Sequence, residues 1–134
     1  MITDAGHVTV VLGLGSNCGD RYMSLKSAYR RLLDILDCPV CSSMYETPAV
    51  GEHAVGSYIN AVVCGVTNLP SERLDSILKN LERAAGRDEN ARKRGEVPLD
   101  IDIVIYDDIV IRPRDYDQRF FQQGYQELSK IPAR

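Results

Sequence analysis

The stretch YINAVVCGVTNLPSERLDSILKNLERAAG, residues 58–86, contains the two clearest secondary-structure patterns in the chain. Side chains alternate along residues 58–67 as they do in a β-strand, with Tyr58, Asn60, Val62 and Cys64 on one face. Pro70 and Ser71 then begin a helix. Its apolar stripe recurs every three or four positions, at Leu74, Ile77, Leu78, Leu81 and Ala85. Gly86 is placed to end this helix.

The segments before this stretch predict one more helix and two more strands. Residues 8–14 read as a strand that runs into a tight turn, GLGSN, at residues 13–17. Asp20 can cap the following helix, and Pro39 is expected to stop it. The apolar face of this helix consists of Leu25, Ala28, Tyr29, Leu32 and Leu36. Residues 40–46 predict a second strand, and residues 47–57 a loop.

The segments after it predict a loop and a last long strand. Residues 87–98 are charged and lack an apolar period, so we expect a long exposed loop. Residues 99–106 predict a strand whose Ile101, Ile103 and Ile105 face the core, followed by a short strand at 109–111. The tail from Arg112 onward is polar and aromatic, and we assign no regular element to it.

The order strand, helix, strand, strand, helix, strand indicates a fold class. It is the order of the α+β ferredoxin-like sandwich, a four-stranded antiparallel sheet with two helices on one face. The other face would then be free to carry a site. A chain of 134 residues can bury one core, so we predict a single domain over residues 1–134.

Composition excludes several function classes. With 16 basic and 19 acidic residues, the net charge of −3 creates no field that would attract nucleic acid or an anionic membrane. No apolar run is long enough for a membrane span, and no secretory signal begins the chain. We therefore predict a cytoplasmic protein, a monomer or a weak homodimer, that binds neither nucleic acid nor membrane.

Four cysteines raise the question of a redox or zinc site. Cys38 and Cys41 have the spacing of a redox dithiol or of half a zinc site. A second close pair is missing from the sequence, and His7 and His53 lie far from each other and from these cysteines. The favoured interpretation is that the cysteines are ordinary thiols in a reducing compartment and that both histidines are solvated.

Two aspartates in the last long strand suggest a metal site. The two-residue period of a strand sends Asp100 and Asp102 to the same face. Two adjacent carboxylates repel each other unless a cation binds between them, and hard oxygen ligands suit Mg²⁺. Mg²⁺ held in this way commonly also binds substrate phosphates. The alternative is a solvated strand face with alternating acids.

Other residues could complete a nucleotide site and a ring pocket. The loop before the strand carries Arg87, Arg92, Lys93 and Arg94, which could close over a polyphosphate or could simply be a charged surface loop. Residues 13–17 do not match a dinucleotide fingerprint, because the third glycine is misplaced. Tyr58, Asn60 and residues 47–48 could bind a flat, nitrogen-rich ring, although Tyr58 could equally be a core residue.

Five motifs in one order resemble a known family. They are LGSN at 14–17, YETP at 45–48, YINAV at 58–62, Glu82 with Gly86-Arg87, and LDIDI at 99–103. Together they resemble 6-hydroxymethyl-7,8-dihydropterin pyrophosphokinase of folate biosynthesis, over roughly residues 8–111. The resemblance implies the ferredoxin-like fold and transfer of pyrophosphate from Mg-ATP to the hydroxymethyl group of the pterin, with two Mg²⁺ ions.

The resemblance also implies roles for individual residues. The metal aspartates would be Asp100 and Asp102. The pterin pocket would consist of Thr47, Pro48, Val50, Tyr58, Asn60 and Phe121. The nucleotide side would consist of Lys79, Glu82, Arg87, Ile103 and Arg119. The predicted catalytic residues are the two metal aspartates together with Arg87, Arg92 and Arg94, of which Arg92 and Arg94 are candidates because the charged loop could close over a polyphosphate.

The chain departs from the family pattern in two places. The family has an Arg-Trp-Gly-Pro-Arg run in the charged loop, whereas this chain has Arg94 at the Trp position and Val97 at the second Arg. The family's His-containing segment is replaced by residues 115–121, DYDQRFF. Loss of one donor to a phosphoryl group typically costs about 10²–10³ in rate. The alternative hypothesis is therefore a catalytically impaired paralogue that binds pterin or nucleotide and has a regulatory or interaction role.

Overall fold

The computed structural model describes residues 6–51 and 56–130, so His53 lies outside the described residues. Its elements, in chain order, are β1 (Val8–Ser16), α1 (Arg21–Leu32), β2 (Asp37–Cys41), β3 (Tyr45–Pro48), β4 (Ser57–Thr67), α2 (Ser71–Ala84), α3 (Glu89–Lys93), β5 (Asp100–Tyr106), β6 (Ile109–Val110), α4 (Pro113–Tyr116) and α5 (Arg119–Ser129). Among the described helices, none is long and apolar enough to cross a membrane.

The strands form one antiparallel sheet with β1 at its centre. The strand order is β2-β4-β1-β5-β6, and β3 pairs with the other end of β4. Helices α1 and α2 pack on one face, which confirms the ferredoxin-like fold. The sheet has six strands instead of the predicted four. One additional strand is β6, which matches the predicted short strand. The other arises because the predicted strand 40–46 is divided into β2 and β3.

Ser42 divides that predicted strand. Its backbone N–H donates to the Val62 carbonyl at 2.8 Å, but its hydroxyl, instead of a backbone carbonyl, accepts from the Val62 N–H at 2.9 Å. The side chain thus takes a ladder position, and regular pairing stops between β2 and β3. Pro39, which we expected to stop α1, lies inside β2, since the helix already ends at Leu32.

The face away from α1 and α2 is partly covered, which corrects the prediction that it would be free. The tail forms α4 and α5, and α5 packs on this face through the buried residues Phe121, Gly124 and Leu128. Their spacing of three and four is helical, but only one of them has a large aromatic side chain, and the intervening residues are polar. A Cβ on Gly124 would lie 2.7 Å from Val62 Cγ2, so glycine allows helix and sheet to approach closely.

Smaller differences also have local causes. A register shift between Val11 and Leu12 turns Ile105 to the face of α5, away from Ile101 and Ile103, which the helix-side core buries as predicted. In α2, Ile77 is only half-buried and Ala85 is exposed. The predicted loop 87–98 contains α3, held against the protein by the buried Ala91.

Candidate functional site

Two glycines on the central strand create the space for a site. Gly13 pairs with Asp102, and Gly15 pairs with both Asp100 and Asn60. Paired residues in an antiparallel sheet point to the same face, so the two aspartates and Asn60 flank a strip without side chains. A Cβ on Gly15 would already contact Tyr58 Cδ2 at 3.4 Å. Because Gly13 and Gly15 have no side chains, this part of β1 forms the open floor of a cavity.

The cavity lies on this face, beside α5, and has a volume of about 180 Å³. It contains all six residues predicted for ring binding together with both predicted metal ligands. The lining residues are Gly13, Leu14, Gly15, Thr47, Pro48, Val50, Tyr58, Asn60, Asp100, Asp102, Val104, Asp115, Phe120 and Phe121. Residues from β1, β3, β4, β5 and the tail thus meet at one place.

The Asn60 amide is fixed within the pocket wall. The side chain is 4% exposed, and its nitrogen lies 2.7 Å from Thr47 Oγ1 and 3.3 Å from the carbonyl oxygens of Tyr45 and Tyr58. Because the nitrogen donates to the protein, the side-chain oxygen is the atom that can accept from a ligand. Tyr58, half-buried, adds an aromatic surface, and burial raises the pKa of its hydroxyl.

Tyr45 holds α5 in place over this cavity. Its hydroxyl donates to the Phe120 carbonyl and accepts from the Gly124 N–H at 3.1 Å. Burial raises the pKa of Tyr45 to about 12, so the hydroxyl keeps its proton and remains a donor. Phe121 is 1% exposed and stacks on Tyr125, with ring centroids 5.3 Å apart. It is therefore a core residue as well as a cavity wall.

Three carboxylates converge at the edge of β5. Oxygen atoms of Glu82, Asp100 and Asp102 lie within 4.8 Å of one another. Glu82 reaches this edge from α2 and accepts from the Ile101 N–H at 2.8 Å. That N–H would otherwise be a buried donor without a partner, so Glu82 has a structural reason to be here.

Three cations surround the carboxylates. Arg87 Nη1 lies 2.8 Å from Asp100 Oδ1 and 3.0 Å from Glu82 Oε2. Lys79 Nζ lies 3.5 Å from both Glu82 Oε2 and Asp102 Oδ1. Arg112 Nη1 lies 3.8 Å from Asp102 Oδ1. Burial alone would lower the pKa of Lys79 and Arg87, but the carboxylates beside them outweigh burial and raise both pKa values.

The pKa values of the two aspartates are shifted in opposite directions. Burial, and then the charge and hydrogen bond of Asp100, raise the pKa of Asp102 to about 7. Burial also opposes ionisation of Asp100, but hydrogen bonds from Asp102 and Arg87 outweigh it and lower the pKa of Asp100. The surroundings therefore favour the charged form of Asp100 and disfavour the charged form of Asp102.

These residues fit a divalent cation. Carboxylate oxygens this close together repel each other, and a hard cation between them would relieve that repulsion. Both aspartates line the cavity, where phosphate oxygens could complete the coordination. Glu82 already accepts from one N–H and contacts two cations through the same oxygen. It therefore orients the site, while Asp100 and Asp102 are the residues that would hold Mg²⁺.

The charged loop is attached to the end of β1 by Asn17. The Asn17 backbone N–H donates to the Val97 carbonyl at 3.0 Å, its side-chain oxygen accepts from the Val97 N–H at 2.6 Å, and its amide nitrogen donates to the Gly95 carbonyl at 3.0 Å. Arg94 contacts Glu96 at 2.9 Å instead of the carboxylates, and Arg92 is exposed. The loop is therefore anchored, but of its three arginines only Arg87 contacts the carboxylate cluster.

The remaining predicted positions lie outside the cavity. Ile103 is in the helix-side core, on the opposite face from the aspartates, and Arg119 is exposed at the start of α5. Cys38 is exposed, and Cys41 and Cys64 pack in different cores. Within residues 6–51 and 56–130, the only cluster able to hold a metal is Glu82, Asp100 and Asp102.

Several site residues were missed from the sequence alone. Asn17, Tyr45, Asp115, Phe120 and Arg112 act through contacts with residues distant in the chain. Only the glycines of β1 gave a usable signal, because glycines spaced two apart in a strand indicate a strip without side chains.

Taken together, the fold and the site define a ferredoxin-like α+β protein with a ring-sized cavity beside a carboxylate cluster suited to Mg²⁺. The chain belongs to the 7,8-dihydro-6-hydroxymethylpterin-pyrophosphokinase (HPPK) family, which it matches over residues 11–130. This confirms the resemblance found in the motifs.

Individual relatives agree with that family. The chain is 39% identical to 2-amino-4-hydroxy-6-hydroxymethyldihydropteridine pyrophosphokinase of Aquifex aeolicus over 106 residues, which cover 79% of this chain and 66% of that protein. It is 34% identical to the protein of the same name in Porphyromonas gingivalis over 104 residues, 72% of this chain and 68% of that one. It is 39% identical to a folate synthesis bifunctional protein of Arabidopsis thaliana over 98 residues, 72% of this chain. The chain spans only 20% of the length of that last relative.

Proposed function

We propose that this chain transfers the β,γ-pyrophosphoryl group of ATP to the hydroxymethyl oxygen of 6-hydroxymethyl-7,8-dihydropterin and releases AMP. One observation carries the proposal: a single cavity is lined both by the ring-binding residues and by Asp100 and Asp102. A ring bound in this cavity would have its substituent next to the carboxylates. Positioning of this kind is the main contribution that phosphoryl transfer needs from a protein.

The ring side would select a flat heterocycle. Tyr58 and Phe120 offer aromatic surface, and the buried oxygen of Asn60 offers an acceptor to a ring N–H. Thr47, Pro48 and Val50 close the wall from β3 and the loop after it. Phe121 backs the cavity from α5. Because Asn60 is held by hydrogen bonds inside the protein, little ordering would be needed when the ring binds.

The phosphate side would bind and orient the triphosphate. Mg²⁺ on Asp100 and Asp102 would neutralise phosphate charge, and the resemblance implies two such ions. Lys79 and Arg87 lie close enough to bind phosphate oxygens once the aspartates bind metal. Glu82 would keep both cations in position. The nucleotide roles of Ile103 and Arg119 rest on the resemblance alone, and the catalytic roles of Arg92 and Arg94 rest on the charge of the loop in the sequence.

The wider setting stays a prediction from the sequence. We propose that ATP and the pterin are the partners of the site, without nucleic acid or membrane, in a cytoplasmic monomer or weak homodimer. The 34–39% identity to proteins named as pyrophosphokinases supports the enzyme over a binding-only paralogue.

Product analysis tests the proposal. Incubation with Mg-ATP and the hydroxymethyl pterin should yield AMP and the pterin diphosphate in equal amounts, and Asp100→Ala should reduce both by about 10³-fold. Asp34→Ala, an exposed aspartate after α1, is the matched control and should leave the rate unchanged. Pterin and an ATP analogue that bind by calorimetry without any AMP formation would establish the binding-only alternative instead.

A further inference from the structure

Arg112 is a cation that neither the motifs nor the resemblance marked. It lies two residues after the end of β6 and is the N-cap residue of α4, and its guanidinium has two carboxylate neighbours. Nη1 lies 3.8 Å from Asp102 Oδ1, and Nε lies 2.6 Å from Asp115 Oδ2. Asp102 belongs to the carboxylate cluster, and Asp115 lines the ring cavity. Arg112 therefore links the two halves of the site.

The other cations of the site are placed differently. Lys79 and Arg87 come from α2 and the residues just after it, and both contact Glu82. Among the described residues, Arg112 is the only further cation in contact with the carboxylate cluster. Arg94 is paired with Glu96, and Val97 has no charge to offer. Within the described part of the chain, Arg112 is thus the cation that contacts both Asp102 of the cluster and Asp115 of the cavity wall.

We infer that Arg112 contacts the phosphoryl group during its transfer and supplies the charge that Val97 does not. The inference rests on the proposed function. In that reaction the pterin oxygen forms a bond to the β-phosphorus, and the bond from this phosphorus to the oxygen bridging to the α-phosphorus breaks. AMP leaves with that oxygen and its electron pair, and the hydroxyl proton passes to water. Negative charge therefore moves through the region that Arg112 borders.

The chemistry of the side chain suits this task. Arginine keeps its charge at any physiological pH and presents several N–H donors in one plane, which match phosphate oxygens. The contact with Asp115 uses Nε and fixes the plane of the guanidinium. The 3.8 Å contact with Asp102 is longer than a hydrogen bond, and the side chain is 48% exposed, so the terminal nitrogens remain accessible to a ligand.

Kinetics of three variants test the inference. Arg112→Ala should lower kcat for AMP formation by about 10²-fold, with the KM for the pterin changed by less than about threefold. Arg112→Lys should recover about tenfold of that loss, since it restores charge but not the planar donors. Arg114→Ala removes an exposed arginine two residues away and should behave as the unmodified protein. Thermal unfolding of all three checks that they fold.

The inference is overturned if Arg112→Ala and Arg114→Ala have equal kcat. It is also overturned if the loss lies entirely in the KM for the pterin. Should the unmodified protein form no AMP, the proposed function fails, and Arg112 is tested by calorimetry with Mg²⁺ and a non-hydrolysable ATP analogue. At least tenfold weaker binding by Arg112→Ala than by Arg114→Ala would support the contact with phosphate, and equal binding would refute it.

Discussion

The ring side and the loop side of the site are built in different ways. Most residues of the ring side lie on β3 and β4 or shortly after β3, and α5 adds Phe120 and Phe121. Buried hydrogen bonds such as those of Asn60 hold this side in place. Asn17 fixes the backbone of the charged loop 87–98. Arg87 at the start of this loop contacts the carboxylates, whereas Arg94 pairs with Glu96 and Arg92 is exposed. The ring side is therefore prepared for its ligand before binding. On the phosphate side, only the cations near α2 and Arg112 are in place.

The largest expected effect separates these two sides. Asp102→Asn removes a charge that a metal needs, and we expect AMP formation to fall by about 10³-fold or more. The ring contacts of Asn60 and Thr47 do not depend on that charge, so pterin affinity measured by calorimetry should stay within about threefold. Asp34→Asn serves as the control. An equal loss of pterin affinity would show that the two sides do not act independently.

The next prediction concerns Glu82, which holds the cations of the phosphate side, and its contribution to stability. Glu82→Ala leaves the Ile101 N–H without its acceptor and removes a carboxylate partner of Arg87 and Lys79. We expect the free energy of unfolding, measured with urea, to fall by about 3 kcal/mol. Glu72→Ala, on an exposed face of α2, should change it by less than about 0.5 kcal/mol. Similar values for the two variants would mean that the cluster does not stabilise the fold.

A third test examines how closely α5, which forms a wall of the ring side, packs on the sheet. Alanine is normally a better helix residue than glycine by about 1 kcal/mol, so Gly124→Ala would stabilise a helix in open solvent. Here the new Cβ would lie 2.7 Å from Val62 Cγ2 and 2.9 Å from Ser42 Oγ, and we expect a net loss of about 2 kcal/mol. Urea unfolding measures it, with Gln123→Ala as the exposed control. A gain in stability would show that α5 does not pack closely on the sheet.

The smallest effect is expected in the charged loop. Arg94 is paired with Glu96 and exposed, so Arg94→Ala should lower kcat by less than about threefold. Arg92→Ala should behave alike. Steady-state AMP formation measures both, beside Arg114→Ala. A decrease in kcat near 10²-fold would show that the loop rearranges when nucleotide binds and that its arginines take part in catalysis.

The same contrast explains how much the sequence could predict. The alternation of strands fixes the face of each side chain, so Asp100, Asp102, Tyr58 and Asn60 lie together as expected. Loop residues have no such period, and the directions of Arg92 and Arg94 depend on local pairs such as Arg94 with Glu96. The position of a residue along a strand therefore predicts the direction of its side chain, whereas the position of a residue in a loop does not.

The tail shows a second limit of prediction. Helix α5 has only three buried residues, and one of them is a glycine whose role depends on Val62, 62 positions earlier. Most residues of α5 are polar, so its sequence alone resembles that of a solvent-exposed segment, and its packing becomes evident only from its contacts with the sheet. The bulge in β5 that turned Ile105 to the other face is likewise a property of the paired strands β1 and β5, not of either strand alone.

The cavity joins the two ends of the described chain. Its floor is the glycine strip of β1, near the start, and one wall is α5, near the end, joined to β3 by the Tyr45 hydroxyl. During synthesis the site therefore cannot assemble until α5 has left the ribosome. A nascent chain released before that point would expose the floor of the pocket without the wall that α5 provides.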